Sequence, residues 1–126
     1  MRLLRLPDRY AVCRLRTWPT KPPETSGACY FLARTADEIS WVGPQSEIPS
    51  EAEHIESDWR ALRVAGVLDF SLTGILARLT TLLANANIPV FAVSTHDTDY
   101  ILVKEQYWLA AIQALEEGGC RMEDTR

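Results

Sequence analysis

Basic residues are too few in this 126-residue chain for a nucleic-acid-binding protein: 13 Lys and Arg stand against 17 Asp and Glu, a formal net charge of −4 at pH 7. Binding to phosphates requires clustered Lys and Arg, so nucleic acid is not an expected partner. The apolar runs are also short. None reaches the roughly 18 apolar residues of a membrane span, and the stretch at residues 3–6 is too short for a secretion signal. We therefore expect a cytoplasmic protein with no membrane partner.

Motifs for metal, cofactor or catalytic chemistry are absent from the sequence as well. The three cysteines, Cys13, Cys29 and Cys120, form no CxxC pair and are expected to be free thiols in a reducing compartment. His96 lies beside Asp97 and Asp99, but one His with two turn carboxylates is a poor zinc set. There is no GxGxxG, no phosphate loop and no nucleophile elbow. The sequence therefore predicts no catalytic residue, no metal and no cofactor.

The first half of the chain predicts strands. Residues 10–16 alternate apolar and polar side chains, which is the period of a half-buried strand. Residues 18–27 contain three prolines and are expected to form a loop. Residues 29–34 and 39–42 read as the two strands of a hairpin around a polar turn. Residues 46–56 are acidic, and we expect a short helix or a linker there.

The second half predicts a regular alternation of strands and helices. Residues 59–64 read as a strand, 90–94 and 100–103 as a hairpin, 106–117 as a helix and 120–123 as a last strand. The clearest signal is an amphipathic helix after residue 71, whose apolar positions recur at spacings of three and four: Leu72, Ile75, Leu76, Leu79, Leu82, Leu83 and Ala86. Asn87 is a suitable residue for ending it.

This order, strand, helix, strand, strand, helix, strand, predicts an α+β fold of the ferredoxin-like kind in residues 58–126. Residues 1–57 are expected to form a β-rich half packed against it. Phe31, Thr35 and Asp37 each lie sixty residues before Phe91, Thr95 and Asp97. These matches either reflect an internal duplication whose first copy has lost a helix, or arise by chance.

Two motifs carry a resemblance to a known family. The first is Gly66 with residues 68–74 (LDFSLTG), and the second is Ser94 and Thr95 with residues 97–102 (DTDYIL). Both resemble the ACT domain, and within it the CASTOR-type arginine sensors and small bacterial tandem-ACT proteins. Gly74 takes the position of the glycine that opens the ACT helix. The chain departs from common ACT domains at Ser71 and Thr73, where they carry Asp and Pro, and their loop is shorter.

The resemblance implies an ACT domain in residues 58–126, a degenerate ACT-like subdomain in residues 1–57, and a homodimer or an intramolecular pairing of the two halves. It implies a ligand at the seam beside the loop and the turn. The ligand-binding candidates are Gly66, Leu68, Asp69, Phe70, Ser71, Leu72, Thr73, Ser94, Thr95, Asp97, Thr98 and Asp99.

The chemistry of these residues leaves two interpretations open. A helix start at Ser71 favours a ligand carboxylate, and Asp97 and Asp99 suit an ammonium group. Equally, Ser71 is explained as a helix cap, Gly74 by close packing, and the two acids as ordinary turn residues. Asp69 is suited to capping the helix, binding a ligand amine or pairing with Arg63.

The expected function is a sensor that binds an amino acid or a related small metabolite and performs no catalysis. The alternative is an interaction or oligomerisation module without a metabolite. An enzyme on the same scaffold would need a polar pocket with a perturbed acid or base, which the sequence does not reveal.

Overall fold

The computed structural model describes residues 1–21, 29–69 and 72–125. The chain divides into two compact units: Asp8–Trp59, called here the N-terminal unit, and Met1–Pro7 with Arg60–Arg126, called the C-terminal unit. The sequence suggested a division near residue 57 with all preceding residues in one segment. The structure instead assigns the first seven residues to the C-terminal unit.

The secondary structure consists of eight strands and two α-helices in the described ranges. They are β1 (Arg2–Arg5), β2 (Tyr10–Leu15), β3 (Phe31–Arg34), β4 (Ile39–Pro44), β5 (Ala52–Val64), α1 (Ile75–Asn85), β6 (Phe91–Ser94), β7 (Asp99–Lys104), α2 (Trp108–Glu117) and β8 (Arg121–Asp124). Short 3₁₀ turns cover Gln45–Glu47 and Glu105–Tyr107. Neither described helix is long and apolar enough to cross a membrane.

The C-terminal unit has the predicted ferredoxin-like order, which confirms the α+β fold. This order of elements runs from the second part of β5 through α1, β6, β7 and α2 to β8. In its sheet β7 pairs with β5 and β6, while β1 lies between β5 and β8. β1 is antiparallel to β5 and parallel to β8. This additional strand was not predicted, because its sequence, RLLR, does not alternate apolar and polar side chains.

The core of the C-terminal unit lies between this sheet and the two helices. Its buried members include Leu3, Leu62, Val64, Leu79, Leu83, Ile101, Val103, Ala111 and Leu115. The amphipathic stripe of α1 is therefore confirmed at its centre. The helix start predicted at Ser71 was wrong, because α1 begins at Ile75 and Leu72 precedes it, whereas the helix-opening position that the resemblance implies for Gly74 agrees with the structure. Gly74 has φ 82°, a left-handed conformation that cannot continue a right-handed helix toward residue 71. Asn87, with φ 59°, ends the helix as expected.

The N-terminal unit is a four-stranded arrangement in the order β3, β4, β2, β5. Ala11, Cys13, Leu15 and Trp41 are buried together in its core. The prediction of a short helix or a linker at residues 46–56 was wrong, because β5 begins at Ala52. Its first residues are mostly exposed and polar, so they lack the alternation that identifies a half-buried strand. Backbone pairing with β2 makes them a strand.

The same hairpin geometry occurs in both units, sixty residues apart. Strands β3 and β6 begin at Phe31 and Phe91, and the 3₁₀ turns that follow the hairpins begin at Gln45 and Glu105. Each hairpin turn is also closed by an equivalent hydrogen bond. The Thr35 amide donates to the Glu38 carbonyl at 2.9 Å, and the Thr95 amide donates to the Thr98 carbonyl at 2.8 Å. The described residues of the N-terminal unit contain no α-helix. The sixty-residue spacing therefore extends from the three sequence matches to the elements themselves.

A substitution at Leu3 tests whether β1 is an integral part of the C-terminal unit. Its side chain is 1% exposed and belongs to the core, so Leu3→Ala should lower the free energy of unfolding by about 2–5 kcal/mol. Leu109→Ala is the matched control, since Leu109 is 83% exposed, and should change it by less than about 0.5 kcal/mol. Urea unfolding measures both variants. Equal, small effects would show that β1 is dispensable.

The buried thiol of Cys13 should make the folded protein less stable at alkaline pH. Burial raises the pKa of this thiol from its ordinary value near 9 to about 11. Between these values the unfolded chain has released the proton and the folded chain retains it, so stability is fully present below pH 9 and falls as pH rises toward 11. The slope is at most about 1.4 kcal/mol per pH unit. Urea unfolding from pH 8 to 11 should show a shallower decline for Cys13→Ala than for the wild type. Parallel curves would contradict this account.

Candidate functional site

The two sequence motifs converge on one groove in the C-terminal unit, called here the loop–turn groove. Its volume is about 300 Å³, at the lower end of small-molecule pockets. Three segments line it: the loop after β5, the start of α1, and the turn between β6 and β7. The sequence positions of the loop and the turn are well separated, so it is the fold that brings them together.

Most of the predicted site residues line this groove. They are Leu68, Asp69 and Leu72 from the loop, and Ser94, Thr95, Asp97, Thr98 and Asp99 from the turn. Gly66 and Thr73 are not among its lining residues, and Phe70 and Ser71 lie outside the described residues. The groove also includes residues that the candidate set omitted: Gly74, Ile75, Leu76, Ala77 and His96. The first four were omitted because the helix was expected to start at Ser71, whereas the left-handed Gly74 precedes a helix that starts at Ile75.

The turn is held by its own hydrogen bonds. The Thr95 hydroxyl lies 3.1 Å from the Thr98 carbonyl, to which it donates, and accepts from the Thr98 amide at 3.4 Å. The adjoining ends of the two strands are linked by Ser94, whose hydroxyl donates to Asp99 Oδ1 at 2.6 Å. This bond leaves the carboxylate fixed at the edge of the groove. His96 Nδ1 lies 2.8 Å from Asp97 Oδ1, and this pair is largely exposed.

The loop is tied to the turn by two hydrogen bonds. The Leu68 amide donates to the Asp97 carbonyl at 2.6 Å. The Thr98 hydroxyl donates to the Val64 carbonyl at 2.8 Å. Thr98 was predicted as a ligand-binding residue, but its hydroxyl is engaged with the end of β5.

The start of α1 opens into the groove. Gly74 is the N-cap residue, and because glycine has no side chain it offers no cap to the first amides of the helix. The amides of the first helical turn have no acceptor within their own helix, and the helix dipole places partial positive charge there. Because residues 75–77 line the groove, this end of α1 is suited to a carboxylate or another anion. The sequence placed the helix start at Ser71, and the structure places it four residues later, at Ile75.

The loop and turn sides of the groove carry acidic side chains. Asp69, Asp97 and Asp99 line it together with one histidine, and no Lys or Arg occurs among the described lining residues. No three His, Cys, Asp or Glu side chains in the described ranges are grouped as a metal ion would require. The groove thus combines a helix start that favours an anion with carboxylates that favour a cation, the two ends of an amino-acid zwitterion.

Residues 54–117 of this chain match the sequence profile of a protein family described as ACT domain. The chain belongs to the ACT-domain family. ACT domains are regulatory modules that generally bind amino acids and often dimerise. The matched segment contains the whole loop–turn groove. A search of curated protein sequences finds none similar to this chain.

Solved structures support the same fold. The Agobacterium tumefaciens protein Atu0741 is 26% identical, with a TM-score of 0.85 over 99% of this chain and 93% of its own. The Vibrio cholerae protein VC0802 is 16% identical, with a TM-score of 0.67 over 92% and 88%. The ligand-free regulatory subunit of aspartate kinase from Thermus thermophilus is 9% identical, with a TM-score of 0.61 over 93% and 96%. The last two similarities are evidence of a shared fold.

Gly74 provides a stability test of the helix start. A Cβ at this position would meet no atom within 4 Å, so Gly74→Ala is opposed only by the left-handed backbone. We expect it to lower the free energy of unfolding by about 1–2 kcal/mol. Thr73→Ala, at the exposed neighbouring position, should change it by less than about 0.5 kcal/mol. A stabilising Gly74→Ala, measured by urea unfolding, would refute the left-handed helix start.

Proposed function

We propose that this protein binds a free amino acid, or a closely related metabolite, in the loop–turn groove and acts as a sensor without catalysis. The observation that carries the proposal is the convergence of the loop, the turn and the start of α1 on one groove. Occupancy would be the signal, because a ligand that contacts two segments favours the arrangement in which both are in place.

The ligand carboxylate would lie at the start of α1. Amide N–H groups of the first turn point toward that end, and Gly74 places no side chain in front of them. The ligand ammonium would lie toward Asp99, whose carboxylate is already oriented by Ser94. Asp97 and Asp69 add negative charge nearby. An ammonium bound to a carboxylate forms a charge-assisted hydrogen bond, which is stronger than a neutral one.

The apolar part of the ligand would contact the leucine side of the groove. Leu68, Leu72, Ile75 and Leu76 line it alongside the polar groups. Leu72 is 54% exposed, and an aliphatic ligand would cover part of that apolar surface.

The assembly belongs to the same proposal. We propose that the N-terminal unit is a degenerate ACT repeat, so that the chain is a tandem ACT protein of the CASTOR type. The matching hairpins and 3₁₀ turns support this view. A cytoplasmic homodimer is the expected form, and light scattering after size-exclusion chromatography measures the oligomeric state.

A second candidate function is an interaction module without a metabolite. It is favoured by the exposure of apolar side chains on the loop, since Val67 is 75% exposed and Leu72 is 54% exposed. A protein partner would cover both residues, whereas a small ligand in the groove would reach only Leu72, because Val67 does not line it.

Thermal unfolding in the presence of each of the twenty amino acids separates the two functions. A ligand present at a hundred times its dissociation constant stabilises the folded state by about 2.7 kcal/mol. We expect one chemical class of amino acid to raise the midpoint. If none does at millimolar concentration, the sensor proposal fails and the interaction module is favoured.

Asp99→Asn tests the site directly. The substitution keeps an oxygen for the Ser94 hydroxyl and removes the charge, so it should weaken amino-acid binding by about tenfold or more, or about 1.4 kcal/mol. Asp37→Asn is the matched control, because it removes a turn carboxylate from the hairpin of the N-terminal unit. Calorimetric titration should show wild-type affinity for the control. Equal affinity of both variants would remove Asp99 from the site.

A further inference from the structure

Thr98 is the one buried polar side chain among residues 1–21, 29–69 and 72–125, with 4% of its surface exposed. A hydroxyl withdrawn from water destabilises the fold unless it finds a partner. Its partner is the Val64 carbonyl, 2.8 Å away, at the last residue of β5. The burial of this group therefore depends on one contact between the turn and the strand from which the loop departs.

A second hydrogen bond runs in the opposite direction, from the loop to the turn, four residues after Val64 and one residue before Thr98. The Leu68 amide donates to the Asp97 carbonyl at 2.6 Å. Together the two bonds bracket residues 65–67, which include Gly66 in a left-handed conformation with φ 87°. The first part of the loop is thereby fastened to the turn at both of its ends. The loop wall and the turn wall of the groove are consequently held at one separation.

The N-terminal unit shows that the turn itself does not require Thr98. Sixty residues earlier the equivalent position is Glu38, which is exposed, yet the same amide-to-carbonyl bond closes that turn. The carbonyl equivalent to that of Asp97 belongs to Asp37, and it accepts from an exposed guanidinium, Arg14 Nη2, at 3.0 Å. The buried hydroxyl is therefore particular to the hairpin that borders the groove.

We propose that Thr98 is a positioning residue that holds the loop against the turn and so sets the width of the loop–turn groove. It acts through Val64 and Leu68 and makes no hydrogen bond to the ligand with its hydroxyl. The consequence for affinity rests on the proposed amino-acid binding, whereas the fastening of the loop is a property of the ligand-free protein.

The test compares Thr98→Val, which keeps the shape and removes the hydroxyl, with Thr98→Ser, which keeps the hydroxyl. Amide hydrogen exchange of the ligand-free proteins reports the fastening. Thr98→Val should speed exchange at Leu68 by about tenfold or more, while the Thr35 amide in the other hairpin stays unchanged and Thr98→Ser remains near the wild type. Unchanged protection at Leu68 in Thr98→Val would overturn the proposal, whether or not any amino acid binds.

The affinity of the amino acid found in the thermal screen provides the second measurement. Thr98→Val should bind it about tenfold more weakly, with recovery in Thr98→Ser. Leu115→Ala is the control for stability alone, because Leu115 is buried in the core and does not line the groove, so the substitution should leave affinity unchanged. Faster exchange at Leu68 with wild-type affinity would overturn the role in binding. Absence of any amino-acid ligand for the wild type would refute the proposed function, and the exchange result would still decide whether Thr98 holds the loop.

Discussion

Burial of one face of β5 beneath the two helices is the constraint on which the C-terminal unit depends. Leu62 and Val64 lie on that face and join the core with residues of α1 and α2. Because α1 must return along the sheet before β6 begins, β6 ends at the same edge as β5. The hydrogen bond from Thr98 to the Val64 carbonyl shows the two ends in contact. The groove is thus a consequence of the chain path as much as of the residues that line it.

Much of this path is readable from the sequence, and for definite reasons. The stripe through Leu79 and Leu83 has helical spacing, so α1 was predictable. The turn after β6 was predictable from Thr95 and Asp97, which are typical turn formers. The two loop and turn motifs also placed most of the groove, since eight of the twelve predicted residues line it.

The features that escaped prediction depend on partners distant in sequence. β1 is a strand because it lies between β5 and β8, and residues 2–5 carry no sign of those neighbours. The first part of β5 is polar and is ordered by pairing with β2. The apolar spacing misplaced the start of α1, because it extends back to Leu72, whereas the resemblance implied a helix opening at Gly74 and the left-handed backbone there agrees with it. Position 98 illustrates the same limit, since a threonine in a turn does not disclose that its hydroxyl is buried.

The central claim is that the loop, the start of α1 and the turn form one amino-acid site. Amide chemical shifts of ¹⁵N-labelled protein, titrated with the twenty amino acids, test it most directly. The account predicts saturable shifts for one class of amino acid at residues 68–69, 72, 74–77 and 94–99, the described residues that line the groove. Saturable shifts confined to other residues, or none with any amino acid, would contradict it.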